Sequence, residues 1–137
     1  MLYCGLIILA YMISSLVIDK SPKRGRGVFS TKNLKKGTVV EISPVLVLTP
    51  VERKAIEKTL LFHYVFEWGD DKKKAAVALG YVSLYNHSYD ANCEYEMEFG
   101  KKRMTIRTVK DIKKGEELFI NYNATPDDKT KVWFDTK

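Results

Sequence analysis

An amide, an imidazole and a hydroxyl stand side by side at Asn86-His87-Ser88. They follow the apolar and aromatic stretch Leu79-Gly80-Tyr81-Val82-Ser83-Leu84-Tyr85 and precede the turn-forming Asp90-Ala91-Asn92. Ordinary packing does not account for a polar knot in such a run. Buried polar side chains need hydrogen-bond partners, so a polar ligand or a distant part of the chain must meet this one. Two further stretches are candidates. Glu117-Leu118-Phe119-Ile120-Asn121-Tyr122 reads as a short buried strand ending in a tyrosine, and Lys23-Arg24-Gly25-Arg26-Gly27-Val28-Phe29 as a glycine turn entering a strand.

The remaining pattern is mainly strand. Ser15-Leu16-Val17-Ile18 reads as a strand broken by Ser21-Pro22, and Val28-Phe29-Ser30 as a second one. The β-branched Thr38–Ile42 forms another, separated by Pro44 from Val45–Leu48. Thr49-Pro50-Val51-Glu52 carries the signature of a helix start, with Thr as N-cap, Pro at the first position and Glu three residues after the cap. That helix is expected to run to about Lys58. Aromatic-rich Leu60–Trp68 reads as strand, and the Asn86 segment as irregular or a single helical turn. From Cys93 to Phe99, Glu94, Glu96 and Glu98 alternate with Tyr95, Met97 and Phe99. Gly100 turns the chain back through Met104–Thr108, a hairpin. Many short strands, one short helix and no repeated βα unit give a mainly-β, β-rich α+β fold.

A chain of 137 residues with 45% apolar and 29% charged residues is one ordinary globular domain. The net charge of +6 and pI near 9.2 permit an anionic partner. No nucleic-acid reading motif accompanies that charge, so nucleic acid is not the expected main partner. Cys4 and Cys93 alone give neither a zinc pattern nor a disulfide framework, so no metal is expected. A reducing, cytoplasmic setting follows. Residues 1–18 carry no acidic or basic side chain and are borderline in length for a membrane span. With the first strand claiming Ser15 onward, about thirteen apolar residues are left, too few to span comfortably. They are expected to pack as a strand or short helix on the domain or on a second subunit. A membrane anchor and a misassigned start are the alternatives.

The three segments, in this order, resemble a SET domain, the fold of a large class of protein-lysine methyltransferases, and in particular the minimal SET proteins of bacteria and large viruses. There a G-x-G, an N-H-S and an E-L-x-x-x-Y are brought together, and the last segment threads through a loop to make a pseudoknot. The resemblance runs from Ser14 to Asn123, which leaves residues 1–13 as an apolar extension and 124–137 as a tail. It implies several small sheets, S-adenosylmethionine as co-substrate, and transfer of its methyl to a lysine ε-amine in a protein, with a histone-like protein the leading candidate. The cysteine-rich, zinc-binding flanks of many eukaryotic relatives are missing. Minimal viral relatives are dimers, so a homodimer is compatible.

The resemblance also assigns roles. Tyr122 matches the catalytic tyrosine, whose hydroxyl orients the amine without adding charge. Asn86 and His87 match cofactor positions, Asn86 through its amide and His87 through its backbone rather than as a base. Ser83 and Leu84 stand where many relatives have Arg-Phe with backbone cofactor contacts. Arg24, Gly25, Arg26 and Gly27 belong to the G-x-G segment, whose glycines let the backbone approach the methionine end, with φ values that other residues resist. This is not a dinucleotide loop, because the third glycine of G-x-G-x-x-G would fall at Ser30. Tyr64 and Tyr81 are candidate walls of the lysine channel. Ile120, where relatives often carry Phe or Tyr, leaves the number of methyls added open. In the tail, Trp133 is a candidate to stack on adenine and Phe134 to line the channel. The acidic stripe Glu94, Glu96 and Glu98 either holds a basic peptide or pairs with Lys102, Arg103 or Arg107 across the hairpin. A substrate peptide could also add as a strand at a sheet edge. Two other readings stay open at this level: a non-catalytic SET-like module that binds peptide, and a basic nucleic-acid or membrane-surface binder.

Overall fold

The computed structural model describes residues 10–123 and 129. The chain begins with β1 (Tyr11–Met12), β2 (Leu16–Ser21), β3 (Gly25–Ser30) and β4 (Val39–Leu48). Helix α1 (Pro50–Ile56) and a 3-10 turn over Leu60–Tyr64 lead to β5 (Phe66–Trp68) and β6 (Lys74–Ala78). A second 3-10 turn, Val82–Leu84, enters β7 (Asn86–His87). The hairpin of β8 (Cys93–Glu98) and β9 (Arg103–Thr108) follows, and then β10 (Glu117–Ile120).

The strands make two sheets. The larger has the order β5-β6-β4-β9-β8, with β1 paired to β4. The smaller has the order β2-β3-β10-β7. In it β10 runs antiparallel to β3 and parallel to β7, with Glu117 opposite Phe29 and Phe119 opposite Asn86. Strand β10 is thus inserted between two strands made much earlier. Val28, Leu118 and Ile120 of this sheet are buried with Val40, Met104 and Ile106 of the larger one, forming a shared core. Each such side chain contributes about 1.5–3 kcal/mol on burial.

Helix α1 starts where the sequence placed it. Thr49 Oγ1 accepts from Glu52 N at 3.2 Å, and Glu52 Oε1 accepts from Thr49 N at 2.9 Å. The helix buries none of its residues and closes at Ile56, two residues before the expected end. Other boundaries moved further. The β2 strand runs on through Ser21, so the break is the turn at residues 22–24, and Gly25-Arg26-Gly27 opens β3 rather than forming the turn. Gly25, at φ +77°, closes that turn. Pro44 does not interrupt β4. It stands where β4 ends its pairing with β9 and begins its pairing with β6, a place where the missing N–H costs little. Leu60–Tyr64 is a 3-10 turn instead of a strand, with Leu60, Leu61 and Tyr64 exposed. Among the described residues it has no neighbouring strand to give a two-residue alternation any value. Strand β10 ends at Ile120 because Asn121 turns the chain, its Oδ1 accepting from Asn123 N at 3.0 Å.

The paired strand β1 shows that part of the apolar N-terminal region packs on the domain: Tyr11 lies opposite Ile42 and Met12 opposite Glu41. Residues 1–9 lie outside the described part. Among the described residues no helix is long and apolar enough to cross a membrane.

Candidate active site

Strand β10 sets the site. Its pairing with β3 and β7 brings the three singled-out segments together at one place. Glu117, the first residue of β10, is the hub. Its Oε1 accepts from Asn86 Nδ2 at 2.7 Å, and its Oε2 accepts from Ser21 Oγ at 2.8 Å. Asn86 Nδ2 also donates to Arg26 O at 2.8 Å. The Asn86 NH2 therefore ties β3, β7 and β10 together. Gly27 has an ordinary φ, unlike Gly25. A Cβ there would overlap the Glu117 carboxylate and crowd Asn86 Nδ2, so Gly27 makes room for the protein's own side chains. At Gly25 an added Cβ would meet nothing within 4 Å, so open space lies beside its backbone.

Arg24, just ahead of this segment, folds back on it. Its Nη1 donates to His87 O, and its guanidinium lies 5.8 Å from the centre of the Phe119 ring. His87 is buried and its Nδ1 accepts from Tyr122 N at 3.1 Å, which fixes Nε2 as the protonated nitrogen of a neutral ring. Burial, and secondarily the Arg24 charge, hold its pKa below the usual 6.5. Its ring packs edge-on to Tyr89 at 4.4 Å and tilted to Tyr122 at 5.1 Å.

The Tyr122 hydroxyl donates to Tyr85 O at 2.8 Å. Burial pushes the phenol up to about 12, with Arg24 opposing and Tyr64 adding. It is a neutral donor and acceptor throughout the physiological range. Tyr122 remains 38% exposed. Tyr95 braces it from β8, donating to Tyr122 O at 3.3 Å, and burial pushes the Tyr95 phenol up to about 12.

The other expected residues separate. Ser83 Oγ donates to Tyr64 O at 2.7 Å, which ties the 60–64 turn to the 82–84 turn and brings Tyr64 within electrostatic reach of Tyr122. Tyr81 and Leu84 are half-buried against the core, and Leu84 N donates to Tyr81 O at 2.7 Å. Ile120 is fully buried in the core rather than open to the surface. Arg26 is exposed and contributes its carbonyl to Asn86. Trp133 and Phe134 lie outside the described residues. The described tail residue Lys129 donates its Nζ to Tyr89 O at 3.0 Å, beside the ring that packs on His87.

The acidic stripe is drawn partly into the hairpin. Arg103 holds Glu98 through Nε at 2.7 Å and Nη2 at 3.1 Å, and Thr105 Oγ1 donates to it at 2.9 Å. The Arg103 contact holds the Glu98 carboxyl below the usual range. Glu94 sits opposite Arg107. Cys93 is a buried free thiol, pushed up to about 12 by burial. Among the described residues no three His, Cys, Asp or Glu side chains group as metal ligands.

Three residues have structural roles that no local pattern signals. Glu117 was visible as the first letter of its motif, but its pairing with Asn86 was not. Asn92 passed as a turn residue, yet its amide grips β10, donating to Glu117 O at 2.9 Å and accepting from Phe119 N at 2.8 Å. Glu41 looked like a polar residue on a strand and is instead fully buried.

A family model described as the SET domain matches residues 25–123. Among curated proteins, a histone-lysine N-methyltransferase of Schizosaccharomyces pombe, specific for H3 lysine-37, is 31% identical over 123 residues, covering 89% of this chain and 78% of that protein. The N-lysine methyltransferase KMT5A-A of Danio rerio is 33% identical over 113 residues, covering 72% of this chain and 32% of the relative. Among solved structures, a proposed histone methyltransferase of Plasmodium falciparum superposes with a TM-score of 0.64 at 26% identity, over 83% of this chain and 97% of that one. A chain of an active polycomb repressive complex 2 in the stimulated state shares the fold, with a TM-score of 0.67 at 24% identity over 78% of this chain and 15% of that one.

Proposed function

This chain belongs to the SET-domain family and is a protein-lysine N-methyltransferase, and we propose that it moves the methyl of S-adenosylmethionine to a lysine in a histone-like protein. The carrying observation is the Tyr122 hydroxyl. It is neutral and aimed at a fixed carbonyl, in a site where the Gly25, Asn86 and Tyr122 segments meet.

The residues present suit the co-substrate. Open space lies beside Gly25 for the methionine end, Asn86 Oδ1 offers an acceptor, and Arg24 and Arg26 supply positive charge for a carboxylate. When bound, the co-substrate supplies an electrophilic methyl next to a sulfonium. The lysine nitrogen forms a bond to that methyl carbon as the carbon–sulfur bond breaks, and the lysine must arrive without its proton. Neutralising an ordinary lysine at pH 7.4 costs about 4 kcal/mol. A neighbouring cation and aromatic walls lower that cost. Tyr64, Tyr81 and Tyr122 are the aromatic residues suited to such walls. No strong base is needed. His87 is unsuited to be one, because its Nδ1 already accepts from Tyr122 N. Tyr122 instead orients the amine for in-line attack.

The names of the relatives support a basic protein substrate. Glu94 and Glu96 lie on the edge strand β8, Glu94 opposite Arg107, and acidic side chains there are compatible with a basic peptide. The test offers labelled S-adenosylmethionine to histones and lysine peptides, with wild type and Tyr122→Phe in parallel. Label on lysine that falls about 100-fold or more in the variant is the expected result. Folded protein that neither binds the co-substrate nor transfers label would leave a peptide-binding module instead.

A further inference from the structure

Glu41 is a fully buried carboxylate that the chemistry above does not use. Its Oε2 accepts from Tyr81 N at 2.7 Å and from Ser43 Oγ, and its Oε1 accepts from the Tyr85 hydroxyl at 2.9 Å. The fit is close: a Cβ at Gly80 would overlap Glu41 Oε2 and Ser43 Oγ. One carboxylate thus grips the 3-10 turn Val82–Leu84 at both ends. It holds the backbone amide of Tyr81 where the turn starts, and the side chain of Tyr85 where it stops. The carbonyl leaving this turn is Tyr85 O, the acceptor of the Tyr122 hydroxyl. A buried carboxylate is a poor way to gain stability, since well-packed apolar residues of similar volume do as well or better. Burial also raises its pKa, against the hydrogen bonds from Ser43, Tyr85 and Tyr81.

We propose that Glu41 is a positioning residue for methyl transfer. By clamping the 82–84 turn at both ends it fixes the Tyr85 carbonyl, and through that carbonyl it directs the Tyr122 hydroxyl at the reacting amine. This rests on the catalytic role of Tyr122, and the experiment separates the two. Glu41→Gln and Tyr85→Phe are measured alone and each combined with Tyr122→Phe. The second variant removes one hydroxyl, keeps the carbonyl, and serves if Glu41→Gln does not fold. Assays run below the melting temperature of the least stable protein, with co-substrate affinity measured directly.

Each single variant is expected to lower kcat about 10-fold or more, with peptide KM and co-substrate affinity within about 2-fold of wild type. In the Tyr122→Phe background, where no hydroxyl is left to direct, either change should cost nothing further. The same loss in both backgrounds, or a raised KM with unchanged kcat, overturns the proposal and makes Glu41 a structural residue. Wild-type activity in Tyr122→Phe would instead remove the reading beneath it. If the Tyr122→Phe rate is too low to measure, the ¹³Cζ resonance of labelled Tyr122 decides. A shift in Glu41→Gln and Tyr85→Phe supports the clamp, and an unmoved resonance overturns it.

Discussion

His87 shows how a single side chain is committed by its neighbours. Its Nδ1 accepts from Tyr122 N, its carbonyl takes Arg24 Nη1, and its ring lies between Tyr89 and Tyr122. Protonating Nδ1 would remove that acceptor and place a second cation beside Arg24. The folded pKa is therefore depressed, and the unfolded chain takes up the proton more readily. The stability this group contributes is complete above about pH 6.5 and is lost as pH falls through the lower folded value. NMR titration of the ring nitrogens should show a pKa below 6.5 and the Nε2-protonated tautomer at pH 7. A normal pKa, or a proton on Nδ1, would break this account. The motif identified His87 as a site residue, but its tautomer follows from a partner far along the chain. Gly25 and Gly27 divide similarly. The sequence expectation gave both glycines special φ values, and only Gly25 has one. Gly27 is needed because Glu117 and Asn86 occupy the space over it.

At the scale of elements, β10 depends on side chains as much as on its ladder. It has four residues, and Asn92 bonds two of its backbone groups directly. Asn92→Ala should leave Glu117 O and Phe119 N without those partners in a part-buried setting, at a cost of about 1–3 kcal/mol. Denaturant unfolding measures the loss, and hydrogen exchange should show the Phe119 amide losing protection first. A change below about 0.5 kcal/mol would mean that the ladder suffices. The elements legible in the sequence were those with local signatures. The capping box placed the start of α1, and the alternation from Cys93 to Phe99 with Gly100 placed the β8–β9 hairpin, whose pairing then decided that Glu98 meets Arg103. The elements misread were those decided by neighbours. Leu60–Trp68 has strand-like composition, but only Phe66–Trp68 finds a partner, in β6. Pro44 was read as a break, and β4 passes through it by exchanging one partner for another.

For the whole molecule, the consequential feature is insertion of β10 between β3 and β7, which were made far earlier in the chain. Such pairings carry a large loop-closure cost before any contact repays it. Refolding from denaturant should therefore fall in the millisecond-to-second range, and stopped-flow fluorescence of Trp68 can follow it. Microsecond folding would mean that the small sheet forms without waiting for β10. The sequence by itself determined the mainly-β class, the helix start, the hairpin and the three site segments, because periodicity, caps and short motifs are local. Only the tertiary structure decided that Glu117 holds Asn86, that Arg24 turns back onto His87, and that Glu41 clamps the turn behind Tyr122. Each of these joins residues far apart in sequence. Such pairings leave no local periodic trace and are fixed by the need to give buried polar groups partners.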